Sequence, residues 1–261
     1  VSLTPLVLPD DTAVGAHVAR LVLDRLAATD DGHPFLLGCP SGRSAAPVYE
    51  ALAHLAADGA DLSRLVVVMM DEYVVADPDG RFHAVDPDLS YSCTGFAHRE
   101  LVDPIAAACV RAGTTPPGDP WVPDPADPAG YDDRIERAGG IDLFLLASGA
   151  SDGHIALNQP GTPRTTRTHV TPLGEATRRD NMGTFPELTR LEMVPTHGVT
   201  VGVDTIAALS REVVMIVSGA HKRAAFDRIV AADAYQPDWP ATLVAECTNP
   251  SLVADAAAAG R

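Results

Sequence analysis

The sequence predicts an α/β fold in which a mostly parallel sheet is covered by helices on both faces. Two observations carry this. The runs "PFLLGC" (34–39), "LVVVMM" (65–70) and "IDLFLLA" (141–147) are apolar without alternation, the pattern of strands buried on both sides. Amphipathic segments with helical spacing lie between them, the alternation expected of βαβ units.

Taken in order, "DDTAVGAHVARLVLDRLAATD" (10–30) places Val14, Val18, Leu21, Val22 and Leu26 on one helical stripe behind an acidic cap. The strand at 34–39 follows, then a helix over 44–59 that stops at a glycine. After the strand at 65–70, "SYSCTGFAHRELVDPI" (90–105) has helical character, and "AGYDDRIERAGG" (129–140) is a helix closed by two glycines. Further strands are expected at 141–147, 197–202, 212–219 and 241–246, with a helix over 222–233. The Pro- and Asp-rich stretch 114–130 reads as a long surface connection. Residues 158–190 lack sustained periodicity, and so long a loop in a compact domain points to an active-site lid.

The chain has 261 residues, 46% hydrophobic and 21% charged, as in ordinary globular proteins. No apolar stretch reaches the length of a membrane span. The first residues carry an acidic pair and no basic stretch, so no signal peptide is expected. Cys39, Cys93, Cys109 and Cys247 are scattered and form no CxxC pair, which suits reduced, buried thiols and a cytoplasmic location. A net charge of −16 argues against nucleic acid or an anionic membrane as partner. An anionic substrate would need local cations, and the chain contains one lysine, Lys222; its other fixed cations are arginines. A compact ammonium retained there suggests a specific task.

Four polar clusters follow strands: "CPSGRS" after 34–39, "DEY" after 65–70, "SGASDGH" after 141–147 and "SGAHK" after 212–219. In open parallel sheets, ligands sit beyond the carboxyl ends of the strands. Backbone N–H groups of a turn entering a helix, with the hydroxyls of Ser41 and Ser44, suit a phosphate. The GK[ST] ending of a Walker loop and the GxGxxG of a dinucleotide site are both absent. Asp71 and Glu72 end a hydrophobic strand, where desolvation raises a carboxyl's pKa and suits a general base; either could instead cap the next segment or pair with an arginine. Asp152 beside His154 can orient the imidazole and make it a proton shuttle. Neither HxH, HxxxH nor CxxC spacing supports a metal.

Together these motifs resemble the glucosamine-6-phosphate deaminase (isomerase) family, whose superfamily includes 6-phosphogluconolactonase. The resemblance rests on "LGCPSGRSAAPVYEAL", the intact "MDEY" (70–73), "SYSCTGFAHREL", "SGASDGHIALNQP", "VTVGVDTI" and "GAHKRAA", in order along nearly the whole chain. It implies a single modified Rossmann-like, three-layer αβα domain over 1–261, with a lid within 158–190. It also implies aldose–ketose isomerisation of an amino sugar phosphate with loss of ammonia, and no cofactor. Asp71 would then move the proton between C2 and C1. His154, oriented by Asp152, would open the pyranose ring. Lys222 would grip the phosphate with Ser41, Gly42, Arg43 and Ser44. Glu72, Gly153 and Asn158 would complete the substrate contacts. The oligomeric state is open, a homo-oligomer included.

Three departures stand out. Gln159 replaces the family's glutamate; it can still hydrogen-bond the imidazole but cannot ionise. Arg43 replaces a glycine of the phosphate loop. The family's lid arginine has no counterpart in "ATRRDNMGTF", although Asn181 aligns, and Arg178 or Arg179 is the expected substitute. These departures keep open a changed substrate, a lactonase-type hydrolase with His154 as base, and a sugar-phosphate-binding protein without catalysis.

Overall fold

The computed structural model describes residues 3–30, 32–185 and 187–261. Its strands are β1 (Leu6–Leu8), β2 (Phe35–Cys39), β3 (Leu65–Met69), β4 (Asp71–Ala76), β5 (Phe82–Ala84), β6 (Leu143–Ala147), β7 (His169–Pro172), β8 (His197–Thr200), β9 (Val213–Val217) and β10 (Pro250–Asp255). Its α-helices are α1 (Asp11–Ala28), α2 (Ala46–Ala57), α3 (Cys93–Phe96), α4 (Asp103–Ala112), α5 (Pro128–Arg137), α6 (Glu175–Thr184), α7 (Val203–Leu209) and α8 (Arg223–Ala231).

Six strands form one parallel sheet in the order β1-β10-β9-β6-β2-β3. Successive side chains of a strand face opposite sides, and the core divides accordingly. Leu37, Met69 and Leu145 pack with Val18, Leu52 and Ile105 from α1, α2 and α4. Leu36, Val68 and Phe144 pack on the other side with Ile135, Ile206 and Ile229 from α5, α7 and α8. The result is the three-layer αβα arrangement expected from unbroken apolar strands. The chain order reverses between β2 and β6, and a ligand crevice belongs at such a switch.

A second sheet, absent from the sequence expectation, has the order β5-β4-β8-β7 and is antiparallel throughout. The strand expected at 197–202 belongs here and not to the parallel sheet. The chain leaves β3 at Met70 and enters β4 at Asp71, so Asp71 stands at the corner between the sheets.

Other departures have local causes. Residues 241–246 form a buried 3₁₀ helix, Pro240–Glu246, not a strand. A short, uniformly apolar run carries no period, and Pro240 opens it with a fixed helical φ. The parallel strand is instead β10, from "PSLVAD". The helix expected over 90–105 runs on to Ala112 through a π-helical stretch at Ala97–Val102. Pro104 lacks the N–H that would bond Glu100, and Asp103 N–H reaches His98 O instead. The 114–130 connection is pinned along β3, with Trp121 exchanging backbone hydrogen bonds with Val67 and Met69. Residues 158–190 are not structureless: they contain β7 and α6. No helix among the described residues is long and apolar enough to cross a membrane.

Candidate active site

A cavity of ≈ 350 Å³ opens at the carboxyl ends of β2, β3, β6 and β9. All four sequence clusters reach it. Ser41, Gly42, Arg43 and Ser44 line it from the β2–α2 loop, Asp71 from the sheet corner, His154 from the loop after β6 and Lys222 from the turn after β9. The loop 40–45 feeds directly into α2, so the amino end of a twelve-residue helix stands at the cavity wall. Lys222 Nζ donates to Ser148 O, which holds the ammonium over the end of β6.

Asp71 is 5% exposed. Burial lifts its pKa from 3.8 to about 6, against a hydrogen bond from Cys93, with the Glu72 charge adding to the rise and His154 and Ser41 opposing it. The Cys93 thiol donates to Asp71 Oδ1 at 3.3 Å. Such a carboxylate is desolvated and basic near neutral pH, as proton abstraction from carbon requires.

His154 Nδ1 lies 2.7 Å from Asp152 Oδ1, and Asp152 also accepts the His154 backbone N–H at 3.2 Å. Burial pushes the Asp152 pKa up, but the hydrogen bonds and charge of His154 outweigh it and hold the carboxyl below its ordinary value. Asp152 therefore stays ionised and orients the ring from outside the cavity. Gly149 makes room for the pair: a Cβ there would stand 2.3 Å from His154 Nδ1 and 2.4 Å from Asp152 Oδ1. Among the described residues no group of three or more His, Cys, Asp or Glu is placed to hold a metal ion.

Besides Asp152, four residues expected at the site do not line this cavity: Glu72, Gly153, Asn158 and Gln159. Glu72 is fully buried on the opposite side of β4 from Asp71. Its carboxylate accepts Tyr73 N–H (2.8 Å), Cys93 N–H (2.9 Å), Thr94 N–H (2.7 Å) and the Ser92 hydroxyl (2.9 Å). It caps the first turn of α3, the alternative the sequence left open. Gly153, at φ +65°, lies against the Trp239 indole, where a Cβ would approach within 2.3 Å. Asn158 donates to Ile155 O (3.0 Å) and Val201 O (2.8 Å), tying the loop to the end of β8.

Gln159 is the sharpest departure. Its amide donates to Pro172 O at 2.9 Å, not to His154. The neighbour on the His154 Nδ1 side is Thr177 Oγ1, at 3.5 Å. Gln159 thus fastens the loop after β6 to the β7–α6 connection, a bond that needs a donor and that a glutamate could not make. The arginines expected to replace the lid arginine also point elsewhere. Arg178 donates to Leu191 O and Val194 O, and Arg179 pairs with Glu175.

Beyond the alignment of Asn181 within the expected lid, the sequence did not show what α6 and the end of β9 contribute. Asn181 lines the cavity from α6 and Phe185 from just beyond its end, and Thr177 and Asn181, spaced i, i+4, share one helical face. That spacing was the available signal, hidden in a segment with few apolar residues. His221 and Asp255 also line the cavity. Ser218 Oγ and Asn181 Nδ2 are buried without a hydrogen-bond partner among the described residues.

A sequence model described as glucosamine-6-phosphate isomerases/6-phosphogluconolactonase matches residues 9–253. A glucosamine-6-phosphate deaminase of an Exiguobacterium species is 35% identical over 230 residues, covering 88% of this chain and 81% of its own length. That of Beutenbergia cavernae is 33% identical over 265 residues, covering 98% and 91%. In fold, the chain is similar to a monomeric glucosamine-6-phosphate deaminase at a TM-score of 0.83, with 22% identity and 99% of each chain covered. A 6-phosphogluconolactonase from Thermotoga maritima follows at a TM-score of 0.65, with 20% identity and 97% and 99% covered.

Proposed function

Because the chain belongs to the glucosamine-6-phosphate isomerase/6-phosphogluconolactonase family, we propose that it is an enzyme that isomerises and deaminates an amino sugar phosphate of the glucosamine-6-phosphate kind. The observation that carries this reading is one cavity shared by a buried, basic Asp71, His154 with Asp152 bonded behind it, and a loop–helix anion cradle with Lys222 beside it.

Each step uses a group of suitable chemistry. Lys222, the amino end of α2 and the hydroxyls of Ser41 and Ser44 hold the phosphate, with Arg43 at the rim. His154, kept in place by ionised Asp152, moves a proton between the ring oxygen and the anomeric hydroxyl, opening the pyranose. Asp71 takes the proton from C2 of the open chain while the C1 oxygen gains one given up by the amino group, forming a C1=C2 enolamine; Asp71 then returns its proton to C1, which leaves the double bond between C2 and nitrogen. Water then attacks C2 and ammonia leaves, giving the ketose phosphate. Asn181 on α6 and Phe185 just beyond it line the cavity, which supports α6 as the lid that excludes water during these steps.

Gln159 takes no part in these steps, since its amide serves the β7–α6 connection. The experiment is a pair of assays on the purified protein. Ammonia and ketose phosphate released from glucosamine 6-phosphate are measured beside hydrolysis of 6-phosphogluconolactone. Release of both deamination products without lactone hydrolysis is the expected result. Lactone hydrolysis alone would replace this reading with the hydrolase, and activity in neither assay would reject this substrate assignment.

A further inference from the structure

Cys93 belongs to none of the four polar clusters that follow the strands, yet it touches the base. Its thiol donates to Asp71 Oδ1 at 3.3 Å, and Ser41 Oγ stands 3.3 Å from the same sulfur. The three groups form an unbroken chain from the phosphate loop to the general base. We propose that Cys93 is a positioning residue that holds and orients Asp71 through its thiol and links that carboxylate to the anion-binding loop through Ser41.

The geometry explains why the chain runs this way. Cys93 opens α3, and Glu72 fixes that opening by accepting the Cys93 and Thr94 N–H groups and the Ser92 hydroxyl. Neighbouring residues of one strand thus act on each other through a helix: Glu72 places Cys93, and Cys93 reaches back to Asp71. Burial pushes the Cys93 thiol well above its ordinary pKa, so it is a neutral donor with a single proton. That proton goes to Asp71, which leaves the sulfur as the acceptor for the Ser41 hydroxyl.

A phosphate bound at the loop would draw the Ser41 proton to itself. The sulfur would lose its incoming hydrogen bond, and its own donation to Asp71 would weaken, since chained hydrogen bonds strengthen one another. Occupancy of the phosphate loop would thereby make Asp71 more basic. Ser41 also acts on Asp71 directly, and the remaining groups that feel Asp71 are Glu72 on its own strand, His154 from the loop after β6, and the buried phenols Tyr49, Tyr73 and Tyr131. Both phenols carried by helices, Tyr49 on α2 and Tyr131 on α5, donate to backbone carbonyls, so neither replaces the thiol.

This inference rests on the proposed role of Asp71, but its test does not need turnover. The whole chain is labelled at aspartate carboxyl carbons, and Asp71 is identified by the signal lost in Asp71→Asn. Its titration is followed by NMR in the parent, Cys93→Ala, Cys93→Ser and Ser41→Ala, with and without inorganic phosphate. Losing the thiol donor in Cys93→Ala is expected to raise the Asp71 midpoint by about one pH unit. Cys93→Ser restores most of the shift, and Ser41→Ala gives a smaller rise of the same sign. An unchanged midpoint in Cys93→Ala overturns the positioning role; if that variant does not fold, an unchanged midpoint in Ser41→Ala does so. Phosphate is expected to raise the parent's midpoint more than that of Cys93→Ala, whereas equal shifts would reduce the link to direct charge repulsion and overturn it. If phosphate binds none of the proteins, the assigned ligand of the loop falls, together with the link to it, while the phosphate-free titrations still decide the role of Cys93.

Discussion

Replacing Asp71 with asparagine should make the protein more stable while removing its chemistry, and the gain should depend on pH in a defined way. Burial raises the Asp71 carboxyl from 3.8 to about 6. Below pH 3.8 both folded and unfolded chains hold the proton, and Asp71 costs nothing. As pH rises from there to 6, the unfolded chain ionises first and gains an advantage that the folded chain lacks. Above pH 6 the folded carboxyl ionises too, and the penalty stops growing. A shift of about two pH units corresponds to about 3 kcal/mol at about 1.4 kcal/mol per unit. Asparagine keeps the shape and can accept the Cys93 thiol, so it removes the penalty without opening a void. Urea unfolding of both proteins at pH 4.5, 6 and 8 measures this. The variant's advantage is expected to grow from about 1 kcal/mol at pH 4.5 to about 3 kcal/mol at pH 8. Stability–pH curves that run parallel, or a less stable variant at pH 8, would refute a carboxyl made basic by burial. The same variant should stop exchange of the substrate's C2 proton with solvent while keeping its affinity for phosphorylated ligands, as expected for a group that acts in the transition state.

Gly149→Ala should lower kcat by about a hundredfold or more with KM little changed, because the new Cβ would displace His154 and Asp152 from their present positions; steady-state kinetics on glucosamine 6-phosphate checks this. Gln159→Glu should weaken the β7–α6 connection by about 0.5–1.5 kcal/mol, since a carboxylate cannot donate to Pro172 O, and faster amide exchange over residues 170–177 would register the loss. Restored or increased deaminase turnover in that variant would show that the residue works on His154 after all. Lys222→Ala should weaken phosphorylated ligands by about tenfold or more and leave unphosphorylated sugars nearly unaffected, as loss of a charge-assisted hydrogen bond implies; calorimetry with both ligand types distinguishes this from a general disruption of the cavity.

The parallel core and the neighbourhood of the site follow from residue pattern alone. Strands such as "FLLGC" and "LFLLA" must be covered on both faces because every side chain in them is apolar. Polar clusters that follow such strands converge at one end of the sheet by topology alone, so Ser41, Asp71, His154 and Lys222 are legible in the chain itself. Direction was not legible. "DE" at 71–72 offers two equivalent carboxylates to the reader of a sequence, but in β4 they face opposite sides, Asp71 toward the cavity and Glu72 toward the helix it caps, 21 residues further on. Gln159 sits five residues beyond His154 in the chain, yet its partner is a carbonyl thirteen residues further on. The second sheet, the helical form of 240–246 and the thiol bridge from Ser41 to Asp71 likewise depend on pairings between distant segments. Local periodicity carries no information about such pairings. Only the packed chain decides them, because a polar side chain settles on whichever buried donor or acceptor the tertiary fold leaves within its reach.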